Sequence, residues 1–72
     1  MDNETITIDV PMLEARGVRR VLERAIMVAK GHLAYRERII PLRRHFTIRG
    51  DRRITAVLRR YLDKRGTPYS ID

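Results

Sequence analysis

An α+β domain is the fold class this sequence predicts, and three observations carry it. Two stretches alternate with the two-residue period of a strand, two others carry apolar residues at helical spacing, and the four are interleaved within 72 residues. The expected architecture is one small domain over residues 1–72, with two short strands, two main helices and a short helical segment between, the helices covering one face of a ribbon. A second domain does not fit in a chain of this size.

Residues 5–10 alternate strictly, with Ile6, Ile8 and Val10 on one side and Thr5, Thr7 and Asp9 on the other, and Pro11 ends the strand. Residues 1–4 add nothing to the apolar stripe and are expected to be flexible. From residue 18 the period becomes helical: Val18, Val21, Leu22, Ala25, Ile26 and Ala29 share one face, while Arg19, Arg20, Glu23, Arg24 and Lys30 take the other. Gly17 is expected to break or bend this segment, leaving residues 12–16 as a separate turn, and Gly31 is its expected C-terminal cap. Met27 falls on the polar side, where an apolar side chain has no partner within the helix and hints at a contact surface.

Residues 33–40 read two ways, as a short second helix pairing Tyr35 with Ile39 or as an irregular crossover ended by Pro41. Alternation resumes with Phe46 and Ile48 against His45, Thr47 and Arg49, so residues 45–49 form the second expected strand. Gly50 and Asp51 make a turn, and Asp51 is a natural N-cap for the clearest helix, whose stripe is Ile54, Val57, Leu58, Tyr61 and Leu62. Gly66 and Pro68 end it, and the tail over 67–72 is expected to be loose unless Tyr69 or Ile71 docks. The predicted core joins Val21, Leu22, Ala25, Ile26, Phe46, Ile48, Ile54, Val57, Leu58 and Leu62. Because a two-stranded sheet is marginal alone, strand pairing in a homodimer is a further expectation.

The composition is unusual in charge, with 35% charged residues and a net +7, and the charge is segregated. Residues 1–15 hold Asp2, Glu4, Asp9 and Glu14 and no cation, whereas all sixteen cations, fourteen of them Arg, lie within residues 16–66. The guanidinium fork matches phosphate and carboxylate oxygens, so the composition points to oxyanionic partners. The acidic start lacks the basic and apolar regions of a secretory signal, and no apolar run approaches the ~18 residues of a membrane span. A cytoplasmic protein with no membrane partner is expected.

Constellations for catalysis are missing from the sequence. There is no cysteine, only His32 and His45 are available as imidazole ligands, the single Ser70 sits in the tail, and the carboxylates are scattered. No Gly-rich phosphate loop is present. The expectation is therefore a non-enzyme with no metal and no cofactor.

What remains is the basic second half. The first functional expectation is a nucleic-acid-binding accessory or transcription-regulatory module, meeting DNA rather than RNA, that grips phosphates through Arg43, Arg44, Arg49, Arg52, Arg53, Arg59 and Arg60. Tyr35 and Tyr69 are the only candidate base stackers, because Phe46 and Tyr61 suit the core. The alternative expectation is a small protein-binding regulator or inhibitor docking on an acidic surface of a larger machine such as RNA polymerase. In that reading Glu4, Ile6, Ile8 and Asp9 form a strand added to a partner's sheet edge, which accounts for the acidic N-terminal stretch.

Overall fold

The computed structural model describes residues 3–30 and 32–72. Along the chain run β1 (Asn3–Pro11), a 3-10 turn (Met12–Glu14), α1 (Ala15–Ala29), β2 (Leu33–Ile40), β3 (Arg43–Asp51), α2 (Arg52–Arg65) and β4 (Ser70–Ile71). The strands form one antiparallel sheet in the order β2-β3-β1-β4. This βαββαβ sequence, with its first and last strands adjacent and β3 inserted between β1 and β2, is the split βαβ arrangement.

Both helices pack on one face of the sheet. Ile6, Ile8 and Val10 of β1, Phe46 and Ile48 of β3 and Leu33 of β2 meet Val18, Leu22 and Ala25 of α1 and Leu58 and Leu62 of α2 in one buried cluster. The alternation of β1 therefore has the cause expected of it, one side apolar and covered, the other polar. Val21, Ile26 and Ile54 close the periphery of this core.

Two strands instead of four were expected, and the two missing ones fail for different reasons. Residues 33–40 are neither helix nor crossover but the edge strand β2, which pairs with β3 from Leu33 opposite Gly50 to Ile40 opposite Arg43. The alternation of Leu33, Tyr35 and Ile39 is interrupted at Glu37, a carboxylate at a helix-facing position, so the strand period does not show. The tail is held as well as extended: Ser70 and Ile71 pair with Thr7 and Ile6, the Asp72 amide donates to the Thr5 carbonyl at 2.9 Å, and the Tyr69 hydroxyl donates to Asp63 Oδ1 at 2.9 Å. At the other end, Asn3 and Glu4 lie in β1 opposite Asp51 and Gly50. With four strands in one sheet, the argument for pairing between two copies loses its basis.

The expected break at Gly17 does not occur, since Gly17 lies inside α1. The Arg65 guanidinium crosses there, and a Cβ on residue 17 would stand 1.7 Å from its terminal nitrogen. Lys30 ends α1 in the left-handed conformation (φ 54°), and the cap expected at Gly31 lies outside the described residues. The caps of α2 are as read from sequence: Asp51 Oδ1 accepts from the Arg53 amide at 2.8 Å, and Gly66 adopts φ 79° at the C-terminal end.

Candidate nucleic-acid interface

The side of the sheet away from the helices carries no apolar stripe. Register and alternation place on it Thr5, Thr7, Asp9 and Pro11 of β1, Arg43, His45, Thr47 and Arg49 of β3, and Ala34, Arg36, Arg38 and Ile40 of β2. Four cross-strand rows result: Ala34, Arg49 and Thr5; Arg36, Thr47 and Thr7; Arg38, His45 and Asp9; Ile40, Arg43 and Pro11. Ser70 extends the second row onto β4. A shallow depression of about 330 Å³ lies among Ala34, Tyr35, Arg36, Thr47 and Arg49.

Among the described residues, Arg36, Arg38 and Arg49 form no ion pair. All three are exposed, and they stand beside hydroxyls able to donate to phosphate oxygens. Of the four aromatic residues only Tyr35 borders the depression, and its ring packs beside the buried Phe46 with centroids 6.4 Å apart, while Tyr61 is on α2 and Tyr69 binds Asp63. The face therefore offers cations and hydroxyls without a stacking platform.

The seven arginines singled out in the sequence do not share one surface. Arg43 and Arg49 belong to the open sheet face, but Arg43 Nε donates to Asp9 Oδ1 at 2.8 Å. Arg44 is turned to the other side, where Nη1 donates to the carbonyls of Arg43 (2.8 Å) and Ile40 (3.1 Å) and Nε stands 3.8 Å from Glu37. Arg52 and Arg59 converge on Glu4, with Nε–Oε distances of 3.5 and 3.3 Å. Of the seven, Arg53 and Arg60 are the two on α2 that are exposed and form no ion pair among the described residues, across the molecule from the open face. Three of the seven are thus engaged with carboxylates on the helix side, where a phosphate would have to displace Glu4 or Glu37.

The residues assigned to edge addition are also relocated. β1 lies between β3 and β4, so its backbone is paired on both sides over residues 6 and 7 and along its whole length on one. Ile6 and Ile8 are fully buried against the helices, and Glu4 is 5% exposed beneath α2. Asp9 alone of that set is exposed. The long strand with an unpaired edge is β2.

Comparison with known protein families, curated proteins and solved structures found no match. The site must be read from its own chemistry. The residues that sequence reasoning missed are Arg36 and Arg38, and the signal that would have found them is the alternation of residues 33–40 once Glu37 is allowed an inward position with a cationic partner. That partner exists: Arg19 Nε donates to Glu37 Oε1 at 2.7 Å and its Nη2 to Oε2, holding the carboxyl below its ordinary value. Among the described residues no helix is long and apolar enough to cross a membrane.

Proposed function

We propose that this chain is a nucleic-acid-binding accessory module that grips the phosphate backbone through the open face of its sheet. Arg36, Arg38 and Arg49 supply the charge, and Thr5, Thr7 and Thr47 supply hydroxyl donors. The observation that carries this reading is the set of three exposed arginines without a carboxylate partner among the described residues, spread over two adjacent strands on the sheet face that no helix covers.

The chemistry favours backbone over bases. Cations and hydroxyls contact phosphate without reading sequence, whereas unpaired bases are held chiefly by stacking on rings. Duplex DNA is accordingly the favoured ligand, bound with little sequence preference. Titrating the ¹⁵N-labelled protein with a short DNA duplex tests the location: amide shifts should concentrate at Thr5, Arg36, Thr47 and Arg49. Shifts concentrated at Arg53 and Arg60 of α2 would move the interface to the opposite side and refute the assignment.

A further inference from the structure

On the side of the molecule opposite the sheet face, α1 and α2 leave a groove of about 770 Å³ between them. Its apolar lining comes from Val21, Met27 and Val28 of α1 and Tyr61 of α2. Val21 and Tyr61 are half-buried against the core, but Met27 is 80% and Val28 56% exposed, so the apolar surface continues outward instead of ending at the core margin. The helical stripe of α1 is satisfied by Val18, Leu22 and Ala25, so folding gives Met27 and Val28 no task.

The rim is basic. Arg20 and Arg24 line it from α1, one turn apart, and Lys64 and Arg65 from α2, against the single carboxylate of Glu23. None of the four cations is ion-paired among the described residues. Arg65 reaches the groove because residue 17 has no side chain, its guanidinium occupying the place of a Cβ.

We infer that this groove is a docking site for an acidic amphipathic helix of a partner protein. The occupant's apolar stripe seats on Val21, Met27, Val28 and Tyr61, and its Asp and Glu residues meet Arg20, Arg24, Lys64 and Arg65. Helix-in-groove recognition uses anchors at i, i+3 or i+4, and i+7, and the part of α1 that lines the groove, Gly17 to Val28, offers a track of about 17 Å at 1.5 Å per residue, enough for about three turns of partner helix. Charge complementarity selects the occupant: a second copy of this chain would bring Arg20 and Arg24 against the same cations, which is repulsive. Nucleic acid satisfies the rim but gains nothing from the exposed Met27 and Val28. A lipid surface would take up the exposed Met27 and Val28 but not Val21 and Tyr61, which are half-buried between the helices. The groove shares no residue with the sheet face, so either assignment stands or falls without the other.

The test uses a fluorescein-labelled 15-residue helical peptide with Leu at positions 4, 8 and 11 and Glu flanking them. Two control peptides replace Glu by Gln, or Leu by Ser. The acidic apolar peptide should shift the amides of Val21, Met27 and Tyr61, and both controls should bind more weakly by about fivefold or more. Met27→Gln removes an anchor at constant charge and Arg24→Gln removes a rim cation, both on exposed helix positions where folding is not at stake. Each should weaken the peptide by about fivefold or more while leaving DNA binding unchanged. Failure of the peptide to perturb those amides at millimolar concentration, equal binding of the control peptides, or competition by duplex DNA at the same amides with Met27→Gln without effect would each overturn the inference.

Discussion

The Arg19 guanidinium forks onto both carboxylate oxygens of Glu37, tying α1 to the edge strand β2. The hydrogen bond from Arg19 is the main reason the Glu37 carboxyl is held below its ordinary value of 4.5, with the charges of Arg19 and Arg44 acting in the same direction against burial. A carboxyl whose value is lowered by folding stabilises the fold above its unfolded value, and that contribution is lost as pH falls through the folded one. The wild-type melting temperature should therefore drop as pH is lowered below about 4.5, and Glu37→Gln, less stable at neutral pH, should show a smaller drop over the same window. Identical acid profiles for the two proteins would show that the pair does not anchor β2.

Glu4 is the one buried carboxylate among the described residues, and it lies beneath α2. Its Oε1 stands 3.3 Å from Arg59 Nε without the alignment of a hydrogen bond, so each of these two buried atoms relies on the opposite charge alone. Glu4→Ala leaves Arg59 Nε without that charge and should cost about 1–3 kcal/mol, toward the low end for broken buried pairs because the Arg59 side chain is 30% exposed. Deletion of residues 1–4, harmless on the sequence reading, should destabilise for the same reason. Thermal melts of both variants check this, and wild-type melting temperatures would contradict it.

Leu42 occupies the second position of the two-residue turn between β2 and β3, after Pro41, with φ 64°. An L-residue there costs about 1–2 kcal/mol that glycine does not, and Leu42, 77% exposed, recovers little through packing. Leu42→Gly should raise stability by about 0.5–1 kcal/mol after allowing for the greater freedom of glycine in the unfolded chain. A lower melting temperature would show that Leu42 makes contacts within the fold that outweigh the strain.

Leu58 is fully buried where α2 meets the sheet. Its replacement by Ala should cost about 2–5 kcal/mol, comparable with the whole ~3–5 kcal/mol available to a core of this size. Circular dichroism of Leu58→Ala should show a largely unfolded chain at 37 °C. An unchanged melting curve would refute the register of α2.

How far the sequence carries depends on whether a residue's partner is near it in the chain. The helix over Arg52–Arg65 was legible because its cap, its stripe and its terminating glycine are all local, and the alternation of β1 was legible because one side is uniformly apolar. β2 was not, because Glu37 interrupts its alternation and the ions that permit this, Arg19 and Arg44, lie 18 positions before it and 7 after. β4 was hidden by its length, two residues whose only reason to be extended is the edge of β1. The candidate site followed the same logic. Counting arginines found the basic half of the chain, but only the fold reveals that Arg52 and Arg59 are spent on Glu4 while Arg36 and Arg38, within the misread stretch, join Arg49 on the uncovered face.

The assignment of the open sheet face to phosphate is tested most directly by the salt dependence of binding to a labelled 20-base-pair DNA duplex, followed by fluorescence anisotropy. Three phosphate contacts give a slope of log affinity against log salt of about −3, at about 0.9 per contact. In the variant Arg36→Ala, Arg38→Ala, Arg49→Ala the slope should collapse toward zero and low-salt affinity should fall, whereas Arg53→Ala with Arg60→Ala on the far side should leave the slope within about one unit of wild type. An unaltered slope in the sheet-face variant, or a larger loss in the α2 variant, would contradict the account.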